Sequence, residues 1–251
     1  MVATPPTIII AHAAFHQPAH YINFTAALDE VGLTEYRIPQ LPSSSLAPPA
    51  KEAFAQDVAV LRKTIRSCLT SGRDVLLLAH SYGGIPLSDA LADIPQSTER
   101  DHAKVLGVVF VAAIVPEEGE SLAKAMKTGV AEWVRTEGSV CKVDDPASVL
   151  FNTLGDEAAL TEAVEHIRPQ ALSSFTAPAK TASWRYYPCA YVKCKKDSST
   201  STIDQEHMIE KLQRRCEWTP TVAELESDHC PFISMPEELA GLVVKLVEDA
   251  E

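Results

Sequence analysis

Residues 75–86 read VLLLAHSYGGIP, an apolar stretch that ends on a serine and two glycines. A strand is predicted at Asp74–Ala79, and the unbroken apolar side chains from Val75 onward indicate that it is buried on both faces. Ile85–Ala92 has the pattern of a helix. Ser81 therefore lies where a buried strand turns directly into a helix, and small residues surround it.

The five residues 79–83, AHSYG, match the strand–turn–helix motif G-x-S-x-G, with alanine in place of the first glycine. Small residues are needed in this motif because the strand and helix backbones approach closely at the turn. The motif presents its serine as a nucleophile. The alternative interpretation is that Ser81 is an ordinary helix N-cap.

The rest of the chain alternates predicted strands and helices. Strands are predicted at Thr7–His12, Val105–Val115, Cys189–Cys194 and Thr221–Glu226, and helices at Pro18–Val31, Lys51–Thr70 and Thr202–Cys216, with a last helix that begins with a capping box at Ser234 and Glu237. Residues 38–50 hold prolines and serines and are predicted to be a loop. Buried strands separated by helices predict an α/β protein, with a mostly parallel sheet flanked by helices.

Residues 117–185 differ from this pattern because they are polar, alanine-rich and helical in parts, with no strand pattern. We therefore expect a core formed by residues 1–116 and 186–251 and a helical cap formed by residues 117–185. Ligands of parallel sheets bind at the carboxyl ends of the strands, where Ser81 is predicted to lie. The cap is expected to cover it.

A serine hydroxyl is a weak nucleophile at neutral pH and needs a base within hydrogen-bond reach. His229 follows the last predicted strand and is the candidate base, although a surface-loop histidine is the simpler alternative. The acid that orients such a base is expected after the preceding strand, where Asp197 follows CAYVKCKK. Asp204 and Asp228 are rivals for this role, and a solvated turn is the structural alternative for Asp197.

The negatively charged oxygen that forms during serine attack needs two backbone N–H donors. Tyr82, which follows the serine, and Ala14, in the loop after the first strand, are the candidates. The predicted substrate-binding side chains are aromatic residues of that loop and of the cap: Phe15, Trp133, Phe151 and Trp184. The alternative is that the cap aromatics only pack the cap onto the core.

The composition excludes several classes of function. A net charge of −12 argues against nucleic acid or an anionic membrane as partner, and no run of eighteen apolar residues predicts a membrane span. The N-terminus lacks the basic region of a secretory signal, so we expect a cytoplasmic protein with free thiols at its six cysteines. His12, His16 and His20 are regularly spaced, but Pro18 interrupts the helix that a metal site would need.

Several segments together resemble the α/β-hydrolase superfamily, in particular the branch of plant methylesterases and hydroxynitrile lyases and related fungal and bacterial hydrolases. IIIAHAAFHQPAHY is similar to the first strand and oxyanion loop of that branch, LLLAHSYGGIP to its serine turn, and SDHCPFISMPEELA to its histidine segment. Asp197 and, eight residues later, Gln205 match its acid loop. The usual His-Gly pair is His12-Ala13 here, so the loop geometry is expected to differ.

The resemblance implies a serine hydrolase that cleaves a small, largely apolar carboxylic ester, lactone or thioester without a cofactor or metal. Hydroxynitrile lyases of this branch carry a lysine after the histidine and a threonine in the oxyanion loop, where this chain has Cys230 and Ala13. Two alternatives stay open: a lyase or carbon–carbon bond-cleaving enzyme acting on a small carbonyl compound, and a non-enzymatic small-molecule binding protein. The oligomeric state is also open, with a homodimer as one alternative.

Overall fold

The computed structural model describes residues 5–45, 51–94, 102–129 and 132–248. Residues 46–50 of the predicted loop lie outside the described residues. The strands are β1 (Thr7–Ala11), β2 (Tyr36–Arg37), β3 (Val75–His80), β4 (Val105–Val111), β5 (Val134–Glu137), β6 (Val140–Val143), β7 (Gln170–Ala171), β8 (Cys189–Cys194) and β9 (Thr221–Leu225). The helices are α1 (Ile22–Glu30), α2 (Ala53–Thr70), α3 (Gly84–Leu91), α4 (Leu122–Ala125), α5 (Pro146–Leu150), α6 (Glu157–Glu165), α7 (Leu172–Thr176), α8 (Thr202–Arg215), α9 (Pro231–Ser234) and α10 (Pro236–Glu248).

The central sheet has the strand order β2-β1-β3-β4-β8-β9, and every neighbouring pair is parallel. The predicted parallel sheet is therefore confirmed. Parallel strands end at the same edge, so the loops that follow β1, β3, β8 and β9 meet there. These loops carry Ala14, Ser81, Asp197 and His229 respectively.

Helices pack on both faces of this sheet because its inner strands are apolar on both faces. Ile8 and Ile10 of β1 belong to the buried cluster that contains side chains of α1 and α10. Ile9 and Ala11 point the other way, into the cluster that contains side chains of α2, α3 and α8. The alternation follows from the two-residue period of a strand, and the unbroken apolar runs of the sequence are its cause.

Residues 117–185, predicted to form a cap and called the cap below, are not purely helical, which corrects the prediction that strands are missing there. Strands β5, β6 and β7 form a small antiparallel sheet between the short helices. Glu137 pairs with Val140 around the two-residue loop Gly138-Ser139, in which Gly138 has a φ of +61°. Strands of two to four residues are too short to produce a readable alternation, although the glycine of this hairpin loop was a usable signal.

The predicted capping box at the last helix is wrong. Ser234 is the final residue of α9, and its hydroxyl donates to the carboxylate of Asp228 at 2.9 Å instead of capping α10. The Ser234 side chain therefore binds the loop that carries His229 and does not cap the helix that follows it.

Candidate active site

The turn between β3 and α3 holds Ser81 in a conformation that side-chain-bearing residues rarely adopt, with a φ of +52°. A Cβ atom at Gly83 would lie 2.1 Å from the carbonyl oxygen of Ala11, and one at Gly84 would lie 2.0 Å from that of Ile114. The two glycines are therefore required because the start of α3 is in backbone contact with its neighbours. This close packing forces the sharp turn that places Ser81 beyond the end of the strand.

His229 and Asp197 form a buried pair. The Nδ1 atom of His229 lies 2.8 Å from Oδ2 of Asp197, and the two side chains are 2% and 0% exposed. The second carboxylate oxygen of Asp197 accepts the backbone N–H groups of Ser199 and Thr200 at 2.7 and 2.8 Å. The carboxylate is thus fixed in place, and it holds the proton of the imidazole on Nδ1, which leaves Nε2 free to act as a base.

The loop of Asp197 is fastened by Gln205, the residue at the expected spacing. The Gln205 amide donates to the carbonyl oxygens of Cys194 and Thr200 and accepts the N–H of Cys194, with distances of 2.8 to 2.9 Å. Both ends of the turn are therefore tied to α8. The eight-residue spacing matters because it lets a helix side chain span this loop.

The two rival carboxylates point elsewhere. Asp228 accepts the N–H of Thr153, from the cap, at 3.2 Å. Asp204 accepts the N–H of Thr128 at 3.0 Å, also from the cap. Neither has a hydrogen bond to the ring of His229 among the described residues, so Asp197 is the carboxylate that the fold places against this imidazole.

Ser81 and His229 line the same cavity, which lies between the core and residues 117–185 and has a volume of about 50 Å³. The described hydrogen bonds do not include one between the Ser81 hydroxyl and the His229 ring. Such contacts are often long in enzymes without substrate and shorten when one binds. The cavity is lined by Ala14, Phe15, Ser81, Ile114, Leu122, Met126, Gly129, Trp133, Val134, Leu150, Phe175, Ser199, Thr200 and His229.

Two of the four aromatic residues predicted to bind substrate lie on this wall, Phe15 and Trp133, and two do not. Phe151 is buried in the other apolar cluster, where its ring stacks on that of His20 with a centroid separation of 6.1 Å. Trp184 is fully buried, and its indole N–H donates to the carbonyl oxygen of Pro116 at 2.8 Å. These two predictions are corrected: both rings pack the cap segment onto the core.

The loop after β1 is held by its first histidine. His12 donates from Nδ1 to the carbonyl oxygen of Ala13 at 2.8 Å and accepts the N–H of Leu41 on Nε2 at 2.9 Å. Burial lowers the pKa of His12 to about 4, so the ring is neutral and suits both contacts. The positive φ of this loop, +67°, belongs to Phe15 and not to Ala13, so alanine is accommodated at the position where relatives have glycine.

A second neutral histidine connects the loops of the site. His80 donates from Nε2 to the carbonyl oxygen of His229 at 2.9 Å and accepts from the hydroxyl of Tyr21 on Nδ1 at 3.0 Å. The same hydroxyl accepts the N–H of Ala13 at 3.2 Å. Burial and the neighbouring ring of His229 hold the pKa of His80 well below its usual range. One imidazole therefore ties the turn of Ser81 to the loops on either side.

Cys230, which follows His229, points away from the cavity. Its thiol lies 3.3 Å from Nε2 of His16, whose Nδ1 donates to the carbonyl oxygen of Ala14 at 2.8 Å. Burial raises the pKa of Cys230 and lowers that of His16, so both groups are neutral. The cysteine is a packing and hydrogen-bonding partner of the loop that follows β1.

Two polar residues next to the site were not predicted from the sequence. Gln170 of the cap accepts the N–H of Phe15 at 3.1 Å, and Asp57 of α2 accepts from the hydroxyl of Tyr82 at 2.7 Å. A single glutamine in a cap or a single aspartate in an amphipathic helix carries no motif, so no signal in the sequence could have selected them.

The described residues contain no group of three or more His, Cys, Asp or Glu side chains with the geometry to hold a metal ion. None of the helices in the described part of the chain is both long and apolar enough to cross a membrane.

Comparison with known proteins places this geometry in a family. Residues 8–242 match the family model described as the alpha/beta hydrolase family. The chain is 28% identical over 249 residues to "Probable hydrolase R7" of Phoma sp., covering 97% of this chain and 98% of that protein. It is 26% identical over 194 residues to "Methylesterase 17" of Arabidopsis thaliana, covering 68% and 65% respectively. The crystal structure of polyneuridine aldehyde esterase superposes with a TM-score of 0.76 at 18% identity, covering 97% of this chain and 99% of that one. The chain belongs to the alpha/beta hydrolase family, as its serine turn and histidine segment predicted.

Proposed function

We propose that the chain is a serine hydrolase that cleaves a small, largely apolar carboxylic ester, lactone or thioester through an acyl-enzyme intermediate. The observation that carries this proposal is the shared cavity of Ser81 and His229. Ser81 is held at a φ of +52° at the cavity wall, and His229 is bound on its far side to the buried Asp197 at 2.8 Å. This arrangement supports Ser81 as the nucleophile, His229 as the base and Asp197 as the group that orients the base.

In the proposed mechanism, the Ser81 hydroxyl attacks the substrate carbonyl carbon while Nε2 of His229 takes its proton. The carbonyl oxygen becomes an oxyanion, which the backbone N–H groups of Ala14 and Tyr82 stabilise. Among the described residues, no group accepts the Ala14 N–H, so this donor is available. The imidazolium then protonates the leaving oxygen or sulfur. Water, deprotonated by the same imidazole, attacks the acyl-serine and releases the acid.

The cavity chemistry supports an apolar, uncharged substrate. None of its described lining residues is Asp, Glu, Lys or Arg, and most are aliphatic or aromatic. The buried indole N–H of Trp133 lacks a hydrogen-bond partner in the described part of the chain. An oxygen atom of the substrate at this position would satisfy it.

Hydrolysis is favoured over lyase chemistry by the position of Cys230. This residue occupies the place of the lysine that the related lyases carry, and its thiol is bonded to His16 outside the cavity. No cation is therefore available there to hold a departing anion. The names of two similar proteins, a methylesterase and polyneuridine aldehyde esterase, are those of esterases and agree with this choice.

A fluorophosphonate probe tests the enzymatic proposal directly, because it phosphonylates only an activated serine. We expect stoichiometric labelling of the native chain and none of the Ser81→Ala variant. Turnover of p-nitrophenyl acetate beside a cyanohydrin assay then separates hydrolase from lyase. An unlabelled native chain would leave only the binding-protein alternative, and cyanide release without ester cleavage would establish the lyase.

A further inference from the structure

Both backbone groups of Phe15 are held by the cap. Its N–H donates to Oε1 of Gln170 at 3.1 Å, and its carbonyl oxygen accepts the N–H of Arg168 at 2.8 Å. Phe15 has a φ of +67°, a conformation that costs free energy and persists only where neighbouring contacts impose it. The residue before it, Ala14, carries one of the two proposed oxyanion donors. The cap segment therefore fixes the peptide that follows that donor.

The Nε2 end of the Gln170 amide is linked through Ser43 and Asp57 to Tyr82, the residue with the second proposed oxyanion donor. This Nε2 donates to the hydroxyl of Ser43 at 2.8 Å, and the N–H of Ser43 donates to Asp57 at 2.9 Å. The same carboxylate accepts from the hydroxyl of Tyr82 at 2.7 Å. Gln170, Asp57 and Tyr82 are each 0% exposed, so water does not compete for these bonds. One buried amide thus connects the segment of Ala14 to the side chain of Tyr82.

At this point the cap is attached to the core by backbone hydrogen bonds on both sides of Gln170. The N–H of Ala171 donates to the carbonyl oxygen of Ser43 at 2.7 Å, and the N–H of Ser45 donates to that of Pro169 at 3.2 Å. Gln170 lies between these bonds. If the cap moved away from the core, these backbone hydrogen bonds would break, and Gln170 would no longer accept the Phe15 N–H.

We propose that Gln170 is a positioning residue that makes seating of the cap and assembly of the oxyanion-binding loop a single event. This inference rests on the proposed serine hydrolase function. With the cap seated, Gln170 supplies the acceptor that holds Phe15 in its strained conformation and keeps the Ala14 N–H directed to the cavity. With the cap displaced, a buried N–H group loses its partner and the loop relaxes, so the site is competent only when it is closed.

The test compares Gln170→Met, which keeps the length of the side chain without the amide, with Thr176→Ala as matched control. Thr176 lies in the same part of the cap, at the end of α7, but it is exposed, and its described hydrogen bonds go only to the carbonyl oxygens of Leu172 and Ser173. We expect Gln170→Met to lower kcat for p-nitrophenyl acetate about 10- to 100-fold, a part of the loss seen when an oxyanion donor is removed. KM should change less than about 3-fold, because the cavity walls remain.

A trifluoromethyl ketone inhibitor supplies a readout that loss of stability alone would not move. Its adduct with a serine carries an oxyanion, so its Ki should rise in Gln170→Met in proportion to the loss of kcat/KM. Thr176→Ala should leave kcat and Ki within about 3-fold of the native values. Equal kcat values in the two variants would overturn the proposal.

Hydrogen exchange of the native chain keeps the inference testable if Gln170→Met does not fold. The amides of Phe15 and Arg168 should exchange with the same opening free energy, because they are released by the same movement. Fast exchange at Phe15 beside a protected Arg168 would refute the coupling. A native chain that neither cleaves the ester nor reacts with fluorophosphonate would instead refute the proposed function, and the exchange data would remain interpretable.

Discussion

The cavity has one wall from the α/β core and one from the cap, and the two walls are held by different interactions. In the core, Ser81 is placed by an apolar strand and by glycines that allow backbone contact. The strand and the glycines lie within ten residues of Ser81, although the backbone contacts that the glycines allow are with Ala11 and Ile114. The cap has short elements and few local constraints of this kind.

The cap is fastened by core carboxylates that accept its backbone N–H groups. Asp89 of α3 accepts from Lys180 and Thr181 at 2.9 Å each, and Asp228 accepts from Thr153 at 3.2 Å. Asp204 does the same for the segment after α4. A buried carboxylate bonded to N–H groups fixes a chain segment without any helix or strand being formed. The core is thus specified by local pattern, and the cap by contacts between residues distant in sequence.

Two aspartates of the core separate chemistry from cap attachment, and they give the largest expected effect. Asp197→Asn should lower kcat about 10³- to 10⁴-fold with an unchanged fold, because an amide in place of the carboxylate no longer fixes the imidazole proton on Nδ1. Steady-state kinetics on p-nitrophenyl acetate, with circular dichroism as a check of folding, measure this.

Asp228→Asn is the matched control, since Asp228 precedes His229 directly but binds Thr153 of the cap. In this variant an amide N–H group faces the Thr153 N–H, so two donors oppose each other. We expect the free energy of unfolding to fall by about 1–3 kcal/mol and kcat to stay within about 10-fold of the native value. If Asp228→Asn lost as much activity as Asp197→Asn, the separation between a chemical and an anchoring carboxylate would be wrong.

Local pattern also explains which parts of the molecule could be predicted. The parallel sheet was predicted because its strands are unbroken apolar runs. The position of Ser81 at a strand end was predicted because the residues around it are small. Asp197 was chosen over Asp228 because adjacent side chains point apart. Phe151 and Trp184 were assigned to the cavity wrongly, because an aromatic residue in an irregular segment carries no periodicity that says which way it faces.

Glycines of the two regions give a second test. Gly84→Ala would put a Cβ 2.0 Å from the Ile114 carbonyl oxygen, and backbone cannot yield as a side chain can. We expect a loss of about 3 kcal/mol or more in the free energy of unfolding. Gly155→Ala in the cap meets nothing within 4 Å and should change stability by less than about 0.5 kcal/mol. Urea unfolding of both variants measures the difference, and similar midpoints would contradict a core specified by close backbone contact.

The next largest effect is expected from acidification, which should lower the free energy of unfolding. Burial lowers the pKa of His12 and of His20 from 6.5 to about 4. Between these values the unfolded chain binds protons that the folded chain does not, so stability falls as the pH decreases. Asp57 acts in the opposite direction, since burial raises its pKa from 3.8 to about 6. At about 1.4 kcal/mol per unit, each histidine costs about 2 kcal/mol at pH 5, and Asp57 offsets about 1.4 kcal/mol.

His12, His20 and Asp57 together lower the free energy of unfolding by about 2–3 kcal/mol between pH 7 and pH 5, and the total drop should be larger because the lowered pKa values of His16 and His80 act in the same direction. His20 also joins core to cap, because its Nε2 donates to the carbonyl oxygen of Ala163 at 3.1 Å. In His20→Gln the drop should be smaller by about 2 kcal/mol, since one proton-binding difference is removed. A pH profile that is flat, or equally steep in the variant, would show that neutral burial of these rings does not set the acid limit.

The smallest effect is expected at the cap wall of the cavity. The buried indole N–H of Trp133 lacks an acceptor among the described residues, while the ring packs edge-on against Phe15 with a centroid separation of 6.2 Å. Trp133→Phe removes the donor and keeps an aromatic ring. For p-nitrophenyl esters of equal chain length, the native preference for an acyl group with an ether or keto oxygen over a plain hydrocarbon should fall about 2- to 10-fold, the worth of one hydrogen bond. Equal losses of kcat/KM for both esters would mean that Trp133 contributes only packing, and that the cap wall selects substrates by shape without reading their polar groups.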